Sequence, residues 1–394
     1  MSMSNVLYIY ESCEPTNAEL FRLLTYAAER AKFQLKKRRC IDISADDLNW
    51  CDIILSVRST SIFESKLSDY SKRLGKRWIL MLDDDFLSLG VNYGQDHQGY
   101  RDERKRCLKK VLKNTDCLLA VNQKLAEKYV EIGNIHRSIL TNTAIDCTSL
   151  TSPRASDRKT KIVFYVNDGT RTMFELYLKP IFPRLAEKYE GRISVYFMAV
   201  HPDLHEYDDR LDIHYIPHMS FEEFLSYISE QHFDIGLAPL NEDGFSKYKY
   251  FNKYIEYTRA GIAGIYSDCA LYRQVITDGV NGVLCTNTVD SWLNAIDDLI
   301  FNEGKRLQIV ENAQQYVRDN LSAEQVATQL IEDIPDFTSY NAPDKKASHI
   351  KILLINVSYW AFRARGWVYT IFSCIKSGNF KILLLRIKRK VGRT

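Results

Sequence analysis

The sequence predicts an α/β chain of two doubly wound, Rossmann-like domains facing each other across a cleft, followed by a basic helical tail. Three observations carry that expectation. With 394 residues, 45% of them hydrophobic, the chain is long enough for two domains that each bury a core. Short apolar runs alternate with amphipathic helical patterns in two successive series, as βαβ units require. The net charge of +3 splits into +12 for residues 345–394 and −9 for the remainder, which makes the C-terminal stretch a separate electrostatic object.

The first series reads NVLYIY, the helical AELFRLLTYAAERAKF, CDIILSVR, a helix over Lys66 to Leu74, RWILML and DCLLAVN. The second begins after Asp146 with KIVFYV, a helix over Thr172 to Tyr189, RISVYFMAV, IHYIP, FDIGLAPL, AGIYS and GVLC. Between them Cys147 to Thr160 is polar and contains Pro153, which places the domains at 1–150 and 151–335. After GVLC the pattern is wholly helical, with a capping box at Ser322-Ala-Glu-Gln325. Nine scattered cysteines without a CxxC pair point to a reducing compartment and exclude a disulfide framework or zinc ribbon. The N-terminus lacks a basic region ahead of a long apolar core, so the chain reads as unprocessed and cytoplasmic.

KYKYFNKYIEYTRAGIAGIYSD, Lys247 to Asp268, carries the chemistry. It follows the buried-strand pattern FDIGLAPL and a polar loop, at the carboxyl end of a parallel strand, where open α/β sheets bind ligands. A helix beginning between Ser246 and Tyr250 and ending at Gly261 puts Lys249, Lys253, Glu256 and Ala260 on one face. Lysines one turn apart at a positive helix N-terminus are unfavourable unless an anion sits there, and a diphosphate fits that demand. Glu256 would then accept hydrogen bonds from ribose hydroxyls. The competing reading is a solvated lysine face with Glu256 as the i,i+3 partner of Lys253.

The segment DIGLAPL…FSKYKYFNKYIEYTRAGIAGIYSD…YRQVITDGVNGVLCTN…SWLNAIDDLI resembles the donor-binding half of retaining GT-B glycosyltransferases of the group 1, family 4 type. RWILMLDDDFLSL, TDCLLAVNQKLAEKY and LTNTAID are weaker matches in the N-terminal half. The resemblance implies a nucleotide-sugar held in the cleft, an acceptor bound to the N-terminal domain, ribose on Glu256, and diphosphate on Lys249 and Lys253. Gly169 and Arg171 in YVNDGTR match a glycine turn and a diphosphate-binding basic residue, and Tyr257 and Tyr248 join the donor set. Tyr248 stands where the family carries an acid, so that sugar contact is either missing or supplied by Glu242 or Asp243. The Gly-Gly turn after the first strand is replaced by YESCEPT, and Ala263 replaces a proline.

Asp83, Asp84 and Asp85 could suggest a DxD metal site. Two sheets rather than one place acceptor contact or loop capping by Asp84 and Asp85 ahead of it, and neither a metal nor a cofactor beyond the donor is expected. His97 lies in the loop leaving that strand and is a catalytic or acceptor candidate, with a plain surface histidine as the alternative. The tail's apolar runs ILLINVSYWAF and GWVYTIFSCI are interrupted by Arg363 and Arg365, too short to span a bilayer. High apolar content favours an anionic membrane surface over nucleic acid. The expected activity is retaining transfer from a nucleoside-diphosphate sugar to a glycan or lipid-linked saccharide at the cytoplasmic membrane face. A nucleotide-sugar epimerase and a catalytically inactive scaffold are the alternatives, separated by interconversion of free nucleotide-sugars and by absence of nucleotide turnover.

Overall fold

A computed structural model describes residues 3–11, 15–88, 98–153, 159–165, 168–199, 201–242 and 244–376. The chain forms two compact units, 1–143 with 326–394, and 144–325. Each is built on a six-stranded, all-parallel sheet.

In the first unit the strands are β1 (Asn5–Tyr10), β2 (Gln34–Arg39), β3 (Ile53–Val57), β4 (Arg77–Leu82), β5 (Cys117–Ala120) and β6 (Ser138–Leu140), in the order β2-β1-β3-β4-β5-β6. The helices between them are α1 (Pro15–Ala31), α2 (Ala45–Trp50), α3 (Ile62–Arg73), α4 (Gln98–Asn114) and α5 (Gln123–Gly133). Every residue of β3 and β5 is buried, as strands covered on both faces must be, and these are the runs the sequence shows as continuous apolar stretches. Ser44 and Ser61 open α2 and α3 with complete capping boxes, through Asp47 and Glu64.

The second unit holds β7 (Thr160–Tyr165), β8 (Ile193–Met198), β9 (Ile213–Ile216), β10 (Ile235–Ala238), β11 (Ala263–Ser267) and β12 (Val283–Cys285), ordered β12-β11-β10-β7-β8-β9. Its helices are α6 (Asp168–Met173), α7 (Phe182–Tyr189), α8 (Asp208–Leu211), α9 (Phe221–Glu230), α10 (Asn252–Arg259), α11 (Ala270–Arg273), α12 (Val289–Phe301) and α13 (Glu303–Asn320). The helix expected over Thr172 to Tyr189 is broken. A π-turn at Phe174–Leu178 and a 3₁₀ turn at Lys179–Ile181 separate α6 from α7. Pro180 and Pro183 remove backbone donors there. Phe164, Phe174, Phe182 and Phe197 interlock beneath this break at centroid distances of 5.5 to 6.2 Å.

The remaining helices are α14 (Ala323–Asp333), α15 (Asp336–Ser339) and α16 (His349–Lys376). Ser322 Oγ accepts from the Gln325 N–H at 3.4 Å, as expected of its cap. The division expected at 150 lies at 143, and the chain rejoins the first unit at 326, ahead of the expected domain end at 335. Phe337 stacks on Phe33 at 4.9 Å, and Asp52 accepts from the Ala342 N–H. Of the tail, α16 packs on α3 and α4 as one continuous helix running through Arg363 and Arg365. No helix among the described residues is long and apolar enough to cross a membrane.

Candidate functional site

In the second sheet the strand order reverses at β7, so its switch point lies between the carboxyl ends of β7 and β10, where an open parallel sheet leaves a crevice. Lys253, in the first turn of α10, reaches over that end. Its Nζ is 2.5 Å from Glu256 Oε2, 4.1 Å from the Tyr165 ring centroid and 5.2 Å from that of Phe224 on α9. The side chains of Lys253 and Glu256 keep only 23% and 12% of their exposure, so the pair is largely desolvated and each charge depends on the other. Burial, with the Glu256 charge second, pushes the Tyr165 hydroxyl pKa up. The N-cap residue of α10, Phe251, offers no side-chain cap, and its carbonyl accepts from the Tyr254 N–H at 3.0 Å.

The neighbouring strand ends are tied together. Ser267 Oγ, at the end of β11, accepts from the Leu240 N–H at 2.7 Å and donates to Asn287 Oδ1 at 2.7 Å, while Asn287 Nδ2 donates to Leu240 O. The turn Asp278-Gly-Val-Asn-Gly282 buttresses α10 from below. Asn281 Nδ2 lies 3.0 Å from the Tyr254 hydroxyl and donates to Val275 O, while Asn281 Oδ1 accepts from the Thr277 N–H. Glu242 accepts from the Ala270 N–H at the start of α11.

Of the residues singled out in the sequence, Lys253 and Glu256 come together at the switch point. Their direct contact is the i,i+3 pair of the competing reading, here set at the carboxyl end of a strand. Lys249 does not share their helical face. After a 3₁₀ turn at Ser246–Tyr248 it is extended, because the buried rings of Tyr250 and Phe251 carry the chain into the core before α10 begins at Asn252. Tyr248 is half-buried, with Lys247 Nζ 5.0 Å over its ring. Tyr257 is buried against β10 and donates to Leu237 O at 2.9 Å. Gly169 and Arg171 lie on α6, the first helix after β7, with Arg171 exposed. Asp243 and His97 fall outside the described residues.

Asp85 is fully buried and engaged by Lys128 at 2.7 Å and the Tyr129 hydroxyl at 3.0 Å, contacts that suit the loop-capping alternative. Asp84 is half-buried in the turn after β4. Asp83 is clamped by Arg58 and Thr16. Among the described residues no three acidic, histidine or cysteine side chains converge as a metal site.

The reasoning from sequence missed Tyr165 and Phe224, which flank Lys253, and the Ser267–Asn287 tie. The only signal was the aromatic residue ending KIVFY. The first sheet also has a polar cluster at its switch point, between β1 and β3. There Arg104 meets Glu11 at 3.0 Å and also reaches Thr60, while Arg363 and the Tyr359 hydroxyl of α16 approach Glu11 at 3.6 and 3.4 Å. Below it Glu64 is fully buried, bonded by Ser61 and Cys40. Burial, then the Glu11 charge, raises its pKa to about 7.

No protein-family model matches the chain, and no curated protein matches it by sequence. Solved structures do. Anabaena Alr3699/HepE, solved with UDP and glucose, matches with TM-score 0.57 at 12% identity over 84% of this chain and 100% of that one. Sucrose-phosphate synthase from Thermosynechococcus elongatus gives 0.55 at 13% identity over 84% and 98%. The lipopolysaccharide outer core galactosyltransferase WaaB, in its apo form, gives 0.53 at 13% identity over 84% and 99%. The chain has the GT-B glycosyltransferase fold, as its resemblance implied.

Proposed function

We propose that this chain is a retaining glycosyltransferase. In this reading it moves a sugar from a nucleoside-diphosphate donor to a growing, lipid-linked glycan for cell-surface polysaccharide, as a peripheral protein on the cytoplasmic face of the membrane. The observation that carries the reading is the Lys253–Glu256 pair over the end of β7, at the switch point of the second sheet. Lys253 and the uncapped start of α10 meet the leaving diphosphate, with Arg171 on α6 as a further cation. Once phosphate oxygens engage Lys253, Glu256 is released to accept from the ribose hydroxyls.

The reaction breaks the bond between the sugar's anomeric carbon and the diphosphate oxygen and forms one from that carbon to an acceptor hydroxyl oxygen. The acceptor proton passes to the departing phosphate on the same face, so no protein nucleophile is required, and the chain supplies orientation and charge stabilisation. HepE was solved with UDP, which makes UDP-sugars the first donors to try. The test incubates the protein with a UDP-sugar and a membrane-extracted saccharide acceptor. Diphosphate release with an α-linked product from an α-linked donor supports the reading. An inverted linkage refutes retention, epimerised free donor indicates the epimerase, and absence of turnover with every donor class leaves the scaffold.

A further inference from the structure

We propose that the outward row of α16 is a docking face for an anionic bilayer surface, and that it sets the acceptor edge of the first sheet against the headgroups. The helix has two apolar faces. One, including Ile352, Ile355, Tyr359 and Phe362, is buried against α3 and α4. The Phe63 and Tyr359 rings meet edge-on at 6.1 Å, and Arg365 pairs with Glu103 at 2.6 Å, which fixes the helix's rotation on its unit.

The other face points to solvent. Leu353, Leu354, Val357, Trp360, Phe372 and Ile375 are each between 54% and 66% exposed. Apolar side chains continue along it at 357, 361, 364, 368, 371 and 375, in steps of three and four, so the row follows one side of the helix for most of its length. A monomer rarely leaves so continuous an apolar patch uncovered.

Charge identifies what covers it. From residue 345 onward there are twelve Lys or Arg and no Asp or Glu. A second copy would bring the same cations against these without an acidic partner from this segment, and like charges would oppose the contact. Nucleic acid would match the charge and leave the row wet. An anionic bilayer satisfies both, with the row at the acyl boundary and the exposed Lys351 and Lys376 of α16 at the headgroups. Arg363 and Arg365 in mid-helix keep it in the plane of the interface rather than across it.

The inward side of the same helix carries Tyr359 and Arg363 to Glu11, at the carboxyl end of β1. Docking therefore holds that edge about one helix diameter, roughly 10 Å, from the membrane. This consequence rests on the reading that the acceptor is lipid-linked, whereas the docking face itself does not.

Flotation on vesicles of phosphatidylcholine alone, or with one third phosphatidylglycerol, tests the proposal on the full chain and on the triple variant Leu354→Ser, Val357→Ser, Phe372→Ser. The full chain is expected to float with the anionic vesicles only, and the variant to lose at least tenfold in partitioning while keeping its circular dichroism spectrum. Equal flotation of the variant overturns the docking face, and so does a dimer that the three substitutions dissociate in light scattering. On the unaltered chain, brominated lipid should quench a tryptophan signal that Trp360→Phe removes, and no quenching also overturns it. Binding of UDP, GDP and ADP is measured in parallel. If neither UDP nor GDP nor ADP binds while flotation is intact, the donor site alone is refuted, and nucleotide binding without flotation refutes the docking face alone.

Discussion

Lys253 and Glu256 neutralise each other at 2.5 Å in a site that is mostly desolvated, so neither is simply available and neither can be removed without exposing the other. A diphosphate that takes Lys253 exchanges one charge-assisted contact for another. Lys253→Ala should therefore weaken nucleoside diphosphate binding at least tenfold, about 1.4 kcal/mol, and weaken it more than Lys249→Ala, in titration calorimetry. Equal effects would return Lys249 to the site. Glu64 supplies a pH test at the same scale. Its folded-state pKa of about 7 lies above the ordinary carboxylate value, because burial and the nearby Glu11 charge disfavour ionisation. The proton it holds stabilises the fold fully below about pH 4, and that contribution is lost as pH rises through 7. Glu64→Gln keeps the cap on Ser61 and cannot ionise. The stability of the native chain relative to this variant should thus fall by about 3 kcal/mol between pH 4 and pH 8 in denaturant titrations, and a flat difference would contradict the assignment. Lys253 and Glu256 were legible as a pair from spacing alone. Their partner Tyr165 was not, because β7 lies far away in sequence and only the sheet order brings it to α10.

At the scale of elements, α10 is held at its far end by backbone geometry. Gly261 follows its last residues at φ +72°, and a Cβ there would meet Thr151 O at 2.6 Å. Gly279 has a similar φ of +69° with nothing within 4 Å. Gly261→Ala should cost more stability than Gly279→Ala, roughly 2 to 3 against about 1 kcal/mol, by chemical denaturation. Equal losses would show that dihedral strain alone governs both. The C-terminal glycine was readable from the sequence because positive φ selects glycine. The start of the helix was not, since KYKYF carries a continuous helical pattern and only the burial of Tyr250 and Phe251 shows that the chain is extended there. The broken α6–α7 segment was missed although both prolines were in view, because a helical hydrophobic pattern persists across them.

For the whole molecule, the return of the chain to its first unit at 326 is the feature composition could not reveal, because an amphipathic helix has no mark naming the surface it covers. Phe337 is fully buried against Phe33, so Phe337→Ala should destabilise the first unit by about 3 to 5 kcal/mol. Trp78 lies in that unit and Trp292 in the second. Tryptophan substitutions that isolate each signal should show the first unit's transition moving to lower denaturant while the second stays in place. Coincident shifts would mean that the two units unfold as one. Two parallel sheets and their order of elements were legible because each strand is an apolar run between amphipathic helices. The ligand edge then followed from topology.

The most direct test of the donor site is isothermal titration of UDP, GDP, ADP and CMP into the full chain and into Glu256→Ala. The account predicts that one diphosphate binds and that the variant loses at least tenfold in affinity, about 1.4 kcal/mol. Absence of binding by all four to a folded sample, or unchanged affinity in the variant, would contradict it.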